Sequence, residues 1–205
     1  MGKKILVLTG SPRGSGNSDM LADAFIKGAE ESGHSAVKFE AGKKKIGGCT
    51  ACDQCWTNGH ACVDQDDFYE LEPLLESCGV MVLAAPVYWM GFPAQMKAAI
   101  DKLYAYGGSG GLRPLAIKES ALLLCGGDPA AAEYDYVAQG YKMILSFLGW
   151  RRPMAGRHGS AGRYQSRCAA KSRRDGKGFI RSPKGLFFAG AGTKKVLCRA
   201  AGSVI

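Results

Sequence analysis

The sequence lacks the features that mark a membrane or secreted protein. No run of apolar residues approaches the roughly 20 that a membrane-spanning helix requires. The first apolar run, Ile5–Leu8, is too short for a signal peptide, and no cleavage site follows it. We therefore expect a cytoplasmic protein that does not associate with a membrane.

Two common nucleotide-binding patterns are also missing. No G-x-G-x-x-G motif follows a predicted strand, and no glycine-rich loop ends in Gly-Lys-Ser or Gly-Lys-Thr. These absences argue against a dinucleotide-binding Rossmann domain and against a P-loop nucleotide-binding domain.

Acidic residues are almost absent from the last quarter of the chain. Residues 151–205 contain 14 basic side chains and one acidic side chain, whereas residues 1–150 contain 13 basic and 17 acidic ones. We predict a folded domain at 1–150 and an atypical basic tail at 151–205, which is either disordered or the product of a reading-frame error. Because the positive charge lies outside the predicted domain, nucleic acid is not an expected partner.

Strand and helix patterns alternate through residues 1–150. Continuous apolar runs predict the strands, and a 3.6-residue apolar period predicts the helices. The predicted strands are Lys4–Thr9, Ser35–Glu40, Val80–Ala85 and Ser120–Leu124. The predicted helices lie around Leu21–Ala29, Phe68–Leu75, Met96–Leu103 and Tyr134–Leu148. This alternation predicts an α/β fold with a doubly wound parallel sheet between two helical layers, and such sheets bind ligands beyond the carboxyl ends of their strands.

The loop after the first predicted strand has the composition of a phosphate-binding site. Its glycines allow main-chain N–H groups to turn toward an anion, and the positive end of a helix follows directly. The side chains that can contact a phosphate are Ser11, Arg13, Ser15, Asn17 and Ser18. The alternative is an ordinary polar connection that binds nothing.

The loops after the third and fourth predicted strands suit a planar aromatic ligand. Adjacent aromatic side chains can stack on a ring, and a glycine lets main-chain N–H groups approach it closely. The candidate ring-binding residues are Pro86, Val87, Tyr88, Trp89, Met90 and Gly91, with Gly126 and Gly127 in the later loop. The alternative is that the aromatic residues fill the core or a subunit contact.

Four cysteines within 14 residues form the pattern C-x₂-C-x₂-C-x₆-C. They are Cys49, Cys52, Cys55 and Cys62. Three explanations remain open: ligands of a [4Fe–4S] cluster, unligated thiols in a substrate or dimer loop, and ligands of zinc. His60 lies nearby as a further possible ligand, while Cys78 and Cys125 occur in apolar segments and are predicted to be core residues.

These motifs resemble those of one protein family. Gly10-Ser11-Pro12-Arg13 with Asn17-Ser18 resembles the phosphate loop of the NADPH-dependent FMN reductases, a branch of the flavodoxin-like superfamily. The segment Pro86–Pro93, with the helix after it, resembles the flavin-ring loop of that family. The cysteine pattern resembles the compact motif of iron–sulfur flavoproteins.

The resemblance implies a flavodoxin-like sheet with strand order 2-1-3-4-5, although residues after 150 show no clear fifth strand. It implies FMN as cofactor, with its phosphate on Ser11, Arg13, Asn17 and Ser18, and NAD(P)H as co-substrate. It also implies a homodimer or a higher homo-oligomer.

The function expected on this basis is an FMN-dependent NAD(P)H oxidoreductase that passes electrons to a small acceptor, with or without a [4Fe–4S] cluster. No side chain is expected to be catalytic, because the flavin carries the chemistry. The alternatives are a non-enzymatic flavin or iron–sulfur electron-transfer protein that serves protein partners, and a redox-sensing or nucleic-acid-binding module.

Overall fold

Four parallel strands form the centre of the molecule. The computed structural model describes residues 2–107, 113–126 and 131–150, together with the backbone of three strands between residues 179 and 199. The central strands are β1 (Lys4–Thr9), β2 (Ser35–Phe39), β3 (Val80–Pro86) and β4 (Glu119–Cys125), in the order β2-β1-β3-β4. The helices are α1 (Asn17–Glu31), α2 (Phe68–Ser77), α3 (Ala94–Asp101) and α4 (Ala131–Phe147), with short 3₁₀ turns at Ala41–Lys43, Gln54–Trp56 and Lys102–Tyr106. None of the described helices is both long enough and apolar enough to span a membrane.

This arrangement confirms the predicted α/β fold with a parallel sheet. β2 ends at Phe39, one residue before its predicted end, and β3 and β4 extend one residue further, to Pro86 and Cys125. Pro93 occupies the N-cap position of α3, which begins at Ala94. The observed order matches the first four positions of the expected 2-1-3-4-5 order, and in the described residues the central sheet has no fifth strand.

Both faces of the sheet are buried. Ile5 and Val7 of β1 pack on one face with Phe25 of α1. Leu6 and Leu8 point to the opposite face, where α2, α3 and α4 cover them. This burial on both sides explains why the strands are almost continuously apolar, and it gives the predicted three-layer arrangement.

The last helix of the domain ends in a well-formed cap. Gly149 has a φ of +65°, and the Trp150 N–H donates to the Leu145 carbonyl at 2.8 Å. The Gly149 N–H also donates to the Ser146 carbonyl at 3.4 Å. Together these bonds form a Schellman motif, in which the residue after the glycine packs back on the helix. Trp150 is accordingly buried, at the boundary that the charge distribution predicts.

The described part of the tail contains a second, antiparallel sheet. Its strands are β5 (Phe179–Arg181), β6 (Leu186–Ala191) and β7 (Lys194–Arg199), in the order β5-β6-β7. The other tail residues lie outside the described part of the chain. The division at residue 150 and the reading-frame explanation of the tail therefore stay predictions.

Candidate functional site

The carboxyl ends of the strands bring several loops to one edge of the sheet. The Gly10 N–H donates to the Ala84 carbonyl at 2.9 Å, so the loop after β1 leaves beside the end of β3. The Val87 N–H donates to the Cys125 carbonyl at 2.7 Å, so the loops after β3 and β4 also start side by side. We call residues 10–18 the phosphate loop, residues 88–91 the hairpin and residues 47–62 the cysteine loop.

Ser11 shapes the phosphate loop from within. It is buried, and its Oγ accepts the Arg13 N–H at 3.1 Å and donates to the Arg13 carbonyl at 3.2 Å. The side chains that remain exposed at the mouth of the loop are those of Arg13, Ser15 and Asn17. The structure thus places these three predicted phosphate contacts at the surface and Ser11 beneath them.

The start of α1 suits an anion. Gly16 occupies the N-cap position, and no side chain caps the helix. The carboxylate of Asp19, in the first turn, accepts the Ser15 N–H at 3.0 Å, and its other oxygen lies 3.3 Å from Nζ of Lys38. Lys38 also pairs with Asp23 at 2.8 Å, so it offsets the charge of Asp19 only in part, and the exposed Arg13 and the positive end of the helix dipole supply the attraction for an anion. The donor set therefore fits a phosphate group.

Ser18 lies deeper than the sequence suggests. It is buried, and both its hydroxyl and its N–H face the sulfur of Cys125 at the end of β4. Burial raises the pKa of the Cys125 thiol to about 12 in spite of these donors, so this cysteine stays protonated. Contact between the Ser18 hydroxyl and a phosphate would require another rotamer.

Gly42 supports the phosphate loop from the 3₁₀ turn after β2. A Cβ added at Gly42 would lie 2.3 Å from the Ser11 carbonyl oxygen and 2.8 Å from the carbonyl carbon of Gly10. Only a glycine lets the two backbones approach so closely. Next to it, Lys43 Nζ would lie 3.7 Å from a Cβ added at Gly14, which places a second cation beside the loop. Neither residue belongs to a recognisable motif, and sequence analysis missed both.

The hairpin after β3 is a tight two-residue turn. Tyr88 and Gly91 exchange both main-chain hydrogen bonds, at 3.1 and 2.9 Å. The two central residues have positive φ, 43° at Trp89 and 64° at Met90, which is the pattern of a type I′ turn. Such turns normally use Asn-Gly, and the left-handed conformation costs other residues about 1–2 kcal/mol each.

The loop after β3 contains both residues that pack against the core and residues that are exposed. Val87 and Phe92 pack against the core, whereas Tyr88, Trp89 and Met90 are exposed, Trp89 to 97%. The Gly91 N–H is occupied within the hairpin, so the amides of Trp89 and Met90 at its tip are the ones that can reach a ligand. These exposures show that Tyr88, Trp89 and Met90 do not fill the core, and they leave a ligand-binding surface and a subunit contact as explanations.

The loop after β4 is described only as far as residue 126. A Cβ at Gly126 would lie 2.5 Å from the Tyr134 hydroxyl, so this glycine admits the buried ring of α4. Gly127, the other predicted ring contact in this loop, lies outside the described residues.

All four cysteines of the C-x₂-C-x₂-C-x₆-C pattern line one pocket. The pocket is shallow and opens to solvent. The cysteines are Cys49, Cys52, Cys55 and Cys62, and Lys102, Tyr104 and Ala105 also line the pocket. The fold therefore brings together the four thiols that their spacing suggested.

The backbone around Cys52 is held in an unusual conformation. Ala51 and Asp53, its two neighbours, both have positive φ, at 55° and 59°. Asp53 leads directly into the 3₁₀ turn Gln54–Trp56. A left-handed residue next to a right-handed one turns successive N–H groups to the same side, as in many iron–sulfur sites. The Tyr104 hydroxyl, which donates to Asp53 at 3.0 Å, secures this turn from α3's end.

An ionic network holds the far end of the cysteine loop. Two guanidinium nitrogens of Arg113 donate to the Gly59 carbonyl at 2.9 and 3.0 Å, and one also contacts the Glu72 carboxylate at 2.5 Å. The same carboxylate oxygen accepts the Ala61 N–H at 3.0 Å. Since Glu72 is buried, these bonds fix the turn of the cysteine loop that leads back to Cys62.

His60 takes no part in the pocket. Its ring stacks on Tyr69 with a centroid distance of 4.7 Å, and its Nδ1 lies 3.4 Å from the Glu72 carboxylate. His60 therefore packs against Tyr69 of α2 and does not line the pocket of the thiols. The structure gives no support to His60 as a metal ligand.

The arrangement of the thiols bears on what they can hold. Among the described residues, no three histidine, cysteine, aspartate or glutamate side chains are placed to bind a single metal ion. A single zinc ion, with Zn–S bonds of about 2.3 Å, would need sulfurs within about 4 Å of one another. This arrangement is not a preformed zinc site, and it does not decide between zinc, a [4Fe–4S] cluster and unligated thiols.

The charge of the thiols favours a cationic group, whether a zinc ion or the core of a cluster. Burial raises the pKa of the Cys55 thiol, and the negative charges of Cys49 and Cys52 raise it further. Negative charge on Cys49 and Cys52 thus opposes the ionisation of Cys55. A cationic group bound between them would remove that repulsion.

Comparison with known proteins identifies the family. A model of the NADPH-dependent FMN reductase family matches residues 3–148. The chain belongs to this family. Over 104 residues, 51% of this chain, it is 41% identical to an iron–sulfur flavoprotein of Archaeoglobus fulgidus, and it covers 47% of that protein. The chain therefore spans about half the length of this relative.

Two other known proteins have lower sequence identity to this chain but match more of its length. The putative NAD(P)H-dependent FMN-containing oxidoreductase YwqN of Bacillus subtilis is 24% identical over 155 residues, which cover 71% of this chain and 79% of that protein. The structure of an NAD(P)H:quinone oxidoreductase from Methanothermobacter marburgensis superposes with a TM-score of 0.55 at 17% identity, over 73% of this chain and 76% of that one. This superposition shows the shared fold, which is flavodoxin-like, as the sequence motifs predicted.

Proposed function

We propose that this FMN reductase family member is an FMN-dependent NAD(P)H oxidoreductase that passes electrons to a small acceptor and carries a [4Fe–4S] cluster in its cysteine pocket. The observation that carries the proposal is the distribution of backbone strain. In the described part of the chain, five residues other than glycine have positive φ: Ser15, Ala51, Asp53, Trp89 and Met90. All five lie in the phosphate loop, the cysteine loop or the hairpin, and strain of this kind concentrates at functional sites.

The chain's own groups would bind and orient the flavin. Arg13, Ser15 and Asn17, with the uncapped N–H groups of α1, hold the phosphate, and Ser11 fixes the loop that presents them. The hairpin supplies exposed aromatic surface for the ring and shields it from water. Held by these residues, FMN would supply electron transfer between NAD(P)H and an acceptor.

The cysteine pocket would hold the second redox group. Cys49, Cys52, Cys55 and Cys62 supply the four thiolates, and Ala51 and Asp53 turn the loop around them. A cluster bound there would supply single-electron transfer. No side chain needs to act as a general acid or base, because the cofactors carry the chemistry.

The decisive experiment is an absorption spectrum of anaerobically purified protein, with assays of FMN, iron and sulfide and of NADH and NADPH oxidation. We expect flavin bands, a broad iron–sulfur shoulder and oxidation of a pyridine nucleotide. Flavin and cluster without nucleotide oxidation would favour the electron-transfer alternative. Folded protein that stays colourless with excess FMN would refute the proposal. Light scattering on the same sample tests the expected homo-oligomer.

The strained hairpin gives a prediction in which two quantities change in opposite directions. In Trp89→Asn/Met90→Gly the turn receives the Asn-Gly sequence that a type I′ turn prefers. Since the left-handed backbone is then unstrained, we expect the free energy of unfolding of the flavin-free protein to rise by about 1–2 kcal/mol. The affinity for FMN should fall by about 0.5–1.5 kcal/mol, because a stacking side chain is lost.

Urea unfolding and titration of FMN fluorescence measure the two effects. Tyr136→Ala is the matched control, since Tyr136 is an exposed aromatic residue on α4, and it should leave the FMN affinity unchanged. An FMN affinity equal to wild type in the hairpin variant would remove the hairpin from the flavin site.

A further inference from the structure

A buried lysine forms part of the cysteine pocket. The side chain of Lys102 is 1% exposed, and its Nζ lies 2.7 Å from the Asp66 carboxylate and 3.6 Å from that of Asp64. Lys102 and Cys62 both line the pocket, and interaction with Cys62 helps to raise the pKa of this lysine. Because a buried ion pair is often no more stable than an apolar replacement of similar volume, the stability of the fold alone does not explain this lysine.

Asp66 connects this lysine to the entrance of the cysteine loop. The carboxylate oxygen that binds Lys102 also accepts the Gly47 N–H at 2.7 Å, two residues before Cys49. The other oxygen accepts the Phe68 N–H at 2.8 Å, at the start of α2. The ion pair therefore joins the first residues of the cysteine loop to the chain that follows its last cysteine.

The pair also sets the charge of the pocket. Among the described residues that line it, Lys102 is the one cation, and Asp53 and Asp64 add negative charge to that of the thiols. A positive charge beside Cys62 attracts the thiolates and stabilises a cluster whose charge, counted together with its four thiolates, is negative.

We propose that Asp66 and Lys102 are positioning residues for the cysteine pocket: their ion pair closes the base of the cysteine loop and places a buried positive charge beside Cys62. The proposal rests on the proposed function in so far as the pocket holds an iron–sulfur group. It assigns no ligand role to either residue.

The test compares two buried substitutions with the same changes on an exposed ion pair. Lys102→Met and Asp66→Ala are set against Lys97→Met and Asp101→Ala, because Lys97 and Asp101 form a surface pair at 2.5 Å on α3. Each protein is reconstituted anaerobically with ferrous iron and sulfide and then desalted. Iron and sulfide per chain, the midpoint potential of the iron–sulfur centre and the dissociation constant for FMN are measured.

We expect both buried substitutions to lower the affinity for the iron–sulfur group by about 10- to 100-fold, as is typical when a supporting residue of a metal site is lost. The residual centre in Lys102→Met should have a lower potential than wild type, since a nearby positive charge is gone, and a purely structural role would not cause this shift. The surface variants should match wild type in every measurement, and FMN affinity should be unchanged throughout. Wild-type loading and potential in both buried variants would overturn the proposal.

A second measurement needs no bound group. Hydrogen–deuterium exchange of residues 45–64 in metal-free protein should become faster in Asp66→Ala and Lys102→Met and stay unchanged in the surface variants. If wild type binds FMN but takes up no iron, the cluster is refuted and exchange alone decides whether the pair closes the loop. Unchanged exchange would then overturn that role. If Lys102→Met does not fold, the double variant Asp66→Asn/Lys102→Met takes its place in the test, because it removes both charges of the pair at once. We expect the same loss of iron from this variant.

Discussion

Replacing Cys52 with serine is expected to remove iron and sulfide from the protein almost completely while the flavin bands remain. Cys52 lies at the pocket, between the two left-handed residues Ala51 and Asp53. Its backbone is therefore held in place whatever the side chain, and the substitution removes one thiolate ligand without changing the loop. Because the phosphate loop and the hairpin lie on other connections, FMN binding should be unaffected.

Iron and sulfide assays with an absorption spectrum measure this effect. Cys78→Ala is the control, since Cys78 is buried in the core, and it should retain iron even where the fold loses about 1 kcal/mol of stability. Retention of the iron–sulfur shoulder in Cys52→Ser would contradict the assignment of this ligand. Zinc without sulfide in wild type would support the zinc alternative instead.

Replacing Gly42 with alanine is expected to damage the phosphate loop. The added Cβ would lie 2.3 Å from the carbonyl oxygen and 2.4 Å from the carbonyl carbon of Ser11. Both are main-chain atoms, so no change of rotamer relieves the contact and the loop must shift. Overpacking of this kind costs about 1–3 kcal/mol. Where the loop bears the shift, this corresponds to a loss of roughly 5- to 150-fold in FMN affinity.

Calorimetric titration with FMN and urea unfolding divide the effect between binding and stability. Gly79→Ala is the matched control, because a Cβ there meets nothing within 4 Å and the residue lies at the amino end of β3, away from the phosphate loop. Folded Gly42→Ala with both wild-type stability and wild-type FMN affinity would show that the loop does not depend on this contact.

Much of the fold follows from patterns within short segments. The apolar run of β1 and the 3.6-residue period of α1 depend on neighbouring side chains, and their order predicts a parallel sheet. Boundaries were less accurate, since Pro86 and Cys125 extend strands through hydrogen bonds with other strands. Such bonds involve partners that are distant in sequence, so local patterns carry no record of them.

The candidate site divides in the same way. Arg13, Ser15 and Asn17 were predicted as phosphate contacts and are exposed at the mouth of the loop. Ser11 and Ser18 were predicted with them but are buried. A residue list cannot separate these groups, because each side chain's direction is set by contacts such as that between Ser18 and Cys125.

The sequence by itself determined the α/β order of elements, the loops that meet at the carboxyl edge and the spacing of the four cysteines. These features are local, and local spacing is read directly from the chain. Only the tertiary structure decided that Gly42 supports the phosphate loop, that Trp89 and Met90 form a left-handed turn and that Asp66 and Lys102 close the cysteine loop. The support of the loop and the ion pair depend on groups from distant segments, brought together when the strands pair and the helices pack on the sheet. The left-handed turn departs from the usual backbone preference of Trp and Met, so it cannot be predicted from these residues.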